Sequence, residues 1–177
     1  MRVTDESIAR VPRITSDVLD ERHWDTLQQK HRELLESIRD AVVGTERIVA
    51  FDLNMIELGD AIGIPGNNRV SIKNFPEQHI LIHNHADNNT FSFNDFESFV
   101  KRPSRLSIQA VGNGGAVFVL DKLPGYDAAG AIHKYLATID QVEEAMLQGL
   151  GNSKIMDAIE QFYRSLTENG FTYRRWI

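Results

Sequence analysis

The chain has 177 residues and no cysteine, and its 42% hydrophobic and 25% charged residues are typical of a folded globular protein. The formal net charge of −6 disfavours nucleic acid as a partner, because phosphate binding needs clustered lysine and arginine. Without cysteine, disulfides and thiolate zinc sites are excluded, so any metal centre must use histidine and carboxylate ligands.

Two features of the sequence bear on location. No apolar run approaches the length of a membrane-spanning helix, so no membrane partner is expected. The N-terminus lacks the apolar core of a signal peptide, which predicts a cytoplasmic protein.

The first half of the chain predicts an arm, a helix and several strands. Residues 1–19 show little periodicity and predict an extended arm with one short turn. A helix is predicted from Asp20 to Gly44, where apolar residues recur every three or four positions. His31 lies on this apolar stripe, which favours a core histidine over a metal ligand. Strands are predicted at 46–52, within 53–61, at 69–73 and at 79–83, with a loop at 63–68.

The second half predicts a hairpin and two long helices. A short helix at 94–101 precedes strands at 106–111 and 116–121, which the glycine-rich stretch 112–115 joins as a hairpin. Helices are predicted at 127–150 and 153–168, and Gly170 ends the second of them. The aromatic tail at 171–177 is expected to dock on the body of the protein.

The order of these elements predicts one mixed α/β domain over residues 1–177, with helices packed on a sheet. Three segments divide it: an N-terminal arm and helix at 1–44, a core at 45–122, and C-terminal helices at 123–177. Polar residues that suit metal chemistry are concentrated in the core segment.

The stretch "ILIHNHADNNTFSFNDF", residues 80–96, ends an apolar strand in two histidines. Alternate strand residues face the same way, so His83 and His85 can converge on one ion. If a helix begins at Ser92, Asp95 lies in its first turn and can supply a third ligand, leaving a fourth position for water. Ser92 and Asp95 also fit a capping box, and the two interpretations are compatible because a capping serine can still present its hydroxyl to an oxyanion.

Other zinc patterns are mostly excluded. His79 and His83 have the spacing of a helical zinc pair, but the residues between them lack the adjacent glutamate and predict a strand. Zinc deaminases need cysteine ligands, which this chain lacks. The histidines and asparagine of HNH nucleases are spread over tens of residues, whereas here they are contiguous.

His83-x-His85 followed by Ser92-x-x-Asp95 resembles the JAMM signature of the JAB/MPN metallopeptidase family. "LIHNHADNNTFSFNDFESFV" is similar to segments of its bacterial RadC-like branch and of JAB-like domains in phage and mobile-element proteins, and "IQAVGNGGAVFVLDK" is similar to the hairpin that follows. "GTERIVAFDLN" is similar to the upstream segment that begins with a glutamate, here Glu46. The resemblance covers about residues 45–122. Two departures are Ala86, where proline is usual, and a six-residue loop at 86–91, one residue shorter than the common form.

The resemblance implies a fold and a mechanism. The fold is a curled mixed β-sheet flanked by helices, MPN/JAB-like with a cytidine-deaminase-like core. His83, His85 and Asp95 would hold one Zn²⁺ per chain, Glu46 would move the proton of the attacking water, and Ser92 would donate to the oxyanion. His79 and Asp87 stay outside this ligand set.

The implied activity is that of a zinc-dependent metallopeptidase or isopeptidase, a hydrolase acting on a peptide or protein. Only a short helix separates Asp95 from the next strand, so the extra segments that grip ubiquitin in related enzymes are not expected. One alternative is a non-catalytic interaction or assembly module of phage or mobile-element origin. Another is a RadC-like protein linked to DNA metabolism. The sequence leaves the substrate and the oligomeric state open.

Overall fold

A six-stranded mixed sheet forms the centre of the computed structural model, which describes residues 1–64, 70–149 and 151–177. Its strands are β1 (Arg47–Asp52), β2 (Glu57–Ile62), β3 (His79–His85), β4 (Arg105–Gly112), β5 (Val117–Lys122) and β6 (Phe171–Trp176). They lie in the order β2-β1-β3-β4-β5-β6. Neighbours are antiparallel except β3 and β4, which run parallel.

Helices cover both faces of this sheet. They are α1 (Asp5–Arg10), α2 (Trp24–Ile38), α3 (Phe93–Val100), α4 (Ala128–Leu147) and α5 (Asn152–Ser165), with 3₁₀ turns at Glu21–His23 and Leu166–Asn169. The first two pack on one face and the last three on the other, which gives two separate apolar cores. The mixed α/β prediction with helices on a sheet is confirmed. None of the described helices has the length and apolarity that a bilayer crossing demands.

The central strand β3 is buried on both sides because its residues alternate between the two cores. Ile80 and Ile82 pack towards α2, whereas Leu81 packs towards α3 and α5. A strand covered on both faces favours a continuous apolar run, which here is the central stretch Ile80–Ile82. The same alternation turns His83 and His85 towards α3.

The N-terminal predictions needed two corrections. Residues 1–19 contain a six-residue helix, α1, which Thr4 and Ser7 cap reciprocally, and it is too short for a periodic pattern to reveal. The following helix ends at Ile38 instead of Gly44, because its buried stripe stops there and Val42 is 67% exposed.

Two strand predictions also changed. Residues 70–73 lie outside any strand, although Val70 and Ile72 still pack against the core, while position 69 and the predicted loop at 65–68 fall outside the described ranges. The tail at 171–177 does more than dock, since Phe171–Trp176 pairs with β5 as the last strand. The C-terminal segment therefore contributes to the sheet as well as supplying helices. Gly170 ends the helical segment, as predicted, and it does so in a left-handed conformation.

Buried His31 predicts a pH-dependent stability. It is fully buried on α2, which confirms its predicted core position, and neither ring nitrogen has a partner among the residues described. Burial lowers the pKa of His31 to about 3. The contribution of neutral His31 to the free energy of unfolding is therefore present above about pH 6.5 and is lost as the pH falls towards 3. Over this range the unfolded chain binds a proton at His31 and the folded chain does not.

A His31→Leu variant is thus expected to show a flatter pH dependence of the unfolding free energy in this window, by up to about 1.4 kcal/mol per pH unit. Urea denaturation at several pH values measures it. His133→Leu, which changes an exposed histidine on α4, should leave the slope unchanged. An unaltered slope in the His31 variant would contradict the expectation.

Candidate metal centre

The topology brings the end of β3 beside the start of α3. Because β3 and β4 are parallel, the chain must cross over between them, and α3 makes that crossing. The N-terminal turn of α3 therefore returns to the edge where β3 ends, the edge at which open α/β sheets bind ligands. His83 and His85 lie on the strand end, and Asp95 lies in the helical turn.

The three side chains converge at distances that suit a metal. The Nε2 atoms of His83 and His85 are 2.9 Å apart. Asp95 Oδ1 lies 3.5 Å from His83 Nε2, and Asp95 Oδ2 lies 3.4 Å from His85 Nε2. A tetrahedral site with bonds of about 2.0–2.1 Å places neighbouring ligand atoms about 3.3 Å apart. The group could therefore hold a metal ion, and within the described residues no other set of histidines and carboxylates converges in this way.

Burial and charge favour a cation at this position. The side chains of His83 and His85 are 3% and 13% exposed, and that of Asp95 is 22% exposed. Burial opposes ionisation of Asp95, but the two histidines outweigh it and hold the pKa of Asp95 well below its usual range. Burial likewise opposes protonation of His85, yet the Asp95 carboxylate raises its pKa. In the metal-free protein, a proton shared within this group competes with a metal for the same lone pairs.

Loop contacts fix the orientation of His85. Its Nδ1 lies 3.2 Å from the carbonyl oxygen of Asn89, which can only accept, so Nδ1 carries the proton and the Nε2 lone pair is directed at the cluster. Asp87 accepts hydrogen bonds from the backbone and side-chain nitrogens of Asn89. Asp87 is thus an exposed acid that contacts Asn89, which in turn contacts His85. His79 lies at the other end of β3, with Nδ1 bonded to the carbonyl of Glu77.

Ser92 and Asp95 form the capping box that the sequence predicts. The Ser92 hydroxyl accepts from the backbone N–H of Asp95, and the Asp95 Oδ2 atom accepts from the backbone N–H of Ser92 at 2.7 Å. The hydroxyl also donates to Oδ2, at 2.7 Å. The same carboxylate faces both histidines, so the cap and the cluster share one residue. The oxyanion role of Ser92 remains a prediction, because its hydroxyl proton points at Asp95.

Glu46 lies beside this cluster through the pairing of β1 with β3. Ile48 pairs with His83 in antiparallel register, and continuing that register places Glu46 level with His85 on the same face. Partial burial raises the pKa of Glu46, while the nearby His85 and His83 oppose the rise. The carbonyl of Glu46 accepts from Gly63 N–H at 2.7 Å, which ties it to the end of β2.

Sequence reasoning missed Asn84, which lies between the two histidines. Its side chain is completely buried and faces the opposite side of β3. The amide oxygen accepts from Arg47 N–H at 2.6 Å, and the amide nitrogen donates to the carbonyl of Thr45 and to Asn113 Oδ1. An asparagine inside an apolar strand was a usable signal, because strands are depleted of this residue.

The 86–91 loop is packed against the β4–β5 turn. Asn88 Oδ1 accepts from Gly114 N–H at 3.0 Å. A β-carbon on Gly112 would lie 2.7 Å from the carbonyl oxygen of Asp87, and one on Gly114 would lie 2.2 Å from Asn88 Nδ2. Both glycines therefore give this shortened loop the space that its path requires.

Replacing Gly112 with alanine is expected to displace the loop, because the clash involves backbone. Through Asp87 and Asn89 the displacement reaches His85, so metal affinity should fall by roughly 10–100-fold, as when a ligand loses its supporting contact. Titration against a competing chelator measures the affinity. Gly151→Ala, where an added β-carbon meets nothing within 4 Å, is the matched control. Equal affinities in the two variants would contradict the role given to Gly112.

Comparison of the chain with protein-family models, curated proteins and solved structures found no match. The likeness to the JAB/MPN family therefore rests on the motif residues themselves. Any activity has to be argued from the geometry and charges of this site.

Proposed function

We propose that the chain is a zinc-dependent hydrolase of the JAB/MPN type, which cleaves an amide bond in a peptide or protein. The observation that carries the proposal is the convergence of His83, His85 and Asp95 at tetrahedral spacing. Two imidazole nitrogens, one carboxylate and no thiolate suit zinc, and three protein ligands are usual in its catalytic sites. Glu46, on the same face of the sheet, supplies the general base that a zinc hydrolase needs in addition to its metal ligands.

Each side chain has a separate task in this proposal. Zinc supplies Lewis acidity, which makes water a nucleophile at neutral pH. His83, His85 and Asp95 would hold the ion, and the side chains of the two histidines are largely shielded from solvent. Glu46 accepts the proton of the attacking water and delivers it to the leaving amine. Burial raises the pKa of Glu46, and a carboxylate with a raised pKa is a stronger base for the proton of the attacking water.

Ser92 stabilises the oxyanion in this scheme. To do so its hydroxyl rotates away from Asp95, whose Oδ2 atom keeps the hydrogen bond from Ser92 N–H. The carboxylate therefore retains its orientation while the hydroxyl is released. An oxyanion donor of this kind typically contributes about 10²–10³ in kcat.

The proposal is tested by incubating the purified chain with a mixed peptide pool and identifying new peptide termini by mass spectrometry. Cleavage should require zinc, disappear when the metal is stripped, return when zinc is restored, and be lost in His85→Ala. Cleavage that persists in metal-stripped protein would contradict the proposal, and so would its absence from zinc-loaded wild type across a sequence-diverse pool.

A second candidate is a non-catalytic interaction module, and the surface of α4 favours it. This 20-residue helix buries only Ala131 and Val142 among its described side chains. Leu136 and Leu147 are 53% and 89% exposed. If the chain is such a module, Leu136→Glu would abolish the protein complexes that the wild-type chain forms, and metal removal would leave those complexes intact.

A further inference from the structure

The hydrogen bonds of Asn84 converge on the backbone around Glu46. The Asn84 amide oxygen accepts from Arg47 N–H at 2.6 Å, and its nitrogen donates to the carbonyl of Thr45 at 3.1 Å. These are the residues immediately before and after Glu46. The second amide proton goes to Asn113 Oδ1 at 3.3 Å. Both donor protons of this buried side chain are therefore in use.

The strand ladder leaves Glu46 without support from β3. The last backbone pair between β1 and β3 is Ile48 with His83, two residues short of Glu46. On the side of β2, Gly63 N–H holds the Glu46 carbonyl. On the side of β3, the link is made by a side chain, that of Asn84.

Placement between the histidines makes this link specific. Strand alternation turns His83 and His85 to one face of β3 and Asn84 to the other. One three-residue stretch therefore carries the two histidines and also forms hydrogen bonds with the segment that contains Glu46. A shift of the strand end would move the ligands and Glu46 together. The distance between the acid and the metal ligands would then be preserved.

We propose that Asn84 is a positioning residue that sets Glu46 against the histidine pair. The inference rests on the proposed function, in which Glu46 handles the proton of the attacking water. Asn84 touches neither substrate nor metal and acts only through the backbone of Thr45 and Arg47. Its tie to Asn113 in the β4–β5 turn is a separate contact, which Asn113→Ala removes together with the hydrogen bond from Asn113 to the carbonyl of Met1 while leaving the bonds to Thr45 and Arg47 in place.

The test compares Asn84→Ala with Asn113→Ala. In metal-free protein, the amide exchange of Arg47, followed by NMR, should become about 10-fold faster or more in Asn84→Ala and stay unchanged in Asn113→Ala. Zinc affinity should remain within about 3-fold of wild type in both, because the ligand side chains are untouched. In zinc-loaded protein, kcat should fall in Asn84→Ala with little change in KM, as expected when transition-state interactions alone are lost.

Several outcomes would overturn the inference. Unchanged Arg47 exchange would mean that Asn84 does not hold this segment. Equal acceleration at Val49 and Phe51, or loss of zinc, would make Asn84 a general support of the sheet. If Asn84→Ala does not fold, Asn84→Ser is judged by the same criteria. Failure of the proposed function would appear separately, as absent cleavage in wild type, while the exchange measurement would still decide the role of Asn84.

Discussion

A Glu46→Gln variant is expected to keep its zinc and to lose amide hydrolysis by about 10²–10⁴-fold, the contribution typical of a positioned general base. Glutamine has nearly the same shape as glutamate but cannot accept the proton. The proposed metal ligands lie on β3 and α3, so the substitution leaves them in place. Steady-state kinetics on a peptide cleaved by the wild type, with zinc content measured in parallel, gives both quantities.

The matched control is Glu57→Gln, which makes the same chemical change at an exposed position on the neighbouring strand β2. It should retain both zinc and wild-type kcat. Full activity in Glu46→Gln would remove Glu46 from the mechanism. Loss of zinc in that variant would instead make Glu46 part of the metal-binding set.

Asp95→Asn is expected to lower zinc affinity by more than about 100-fold, beyond the range seen when only an outer supporting contact is lost. The amide removes the negative charge that faces His83 and His85, yet its oxygen can still accept the hydrogen bond from Ser92 N–H. The cap of α3 should therefore survive. The metal-free protein should lose the attraction between this carboxylate and the two histidines while the hydrogen bond from Ser92 N–H is kept.

Asp95→Ala separates the two roles of this carboxylate. It removes the hydrogen bond from Ser92 N–H as well as the charge, so it should cost about 1 kcal/mol more than Asp95→Asn in urea denaturation of the metal-free protein. Zinc affinities come from competition with a chelating dye. Wild-type affinity in Asp95→Asn would exclude Asp95 as a ligand.

The parts of the site that sequence could predict are those fixed by local geometry. Strand alternation places His83 and His85 on one face, and a capping pattern places Asp95 in a first helical turn, so both halves follow from short-range rules. That these halves meet depends on the parallel crossover through α3, which element order implies without fixing a distance. Glu46 lies beside His85 although the two residues are 39 positions apart in the sequence. Only the family resemblance pointed to Glu46.

Other features depend on contacts that no local pattern encodes. The path of the 86–91 loop is set by Asn88 against Gly112 and Gly114, far along the chain. Asn84 forms hydrogen bonds with the backbone of Thr45 and Arg47, at the start of β1, which is distant in sequence. Similarly, the tail at 171–177 becomes β6 because β5 offers an unpaired edge, which is a property of the assembled sheet.

Zinc-edge anomalous diffraction from crystals of the zinc-reconstituted chain tests the central claim most directly. We predict one zinc ion per chain, at about 2.0–2.1 Å from His83 Nε2 and His85 Nε2 and about 2.0–2.2 Å from an oxygen of Asp95. A crystal without zinc at this position, or with zinc held by other residues, would contradict the account.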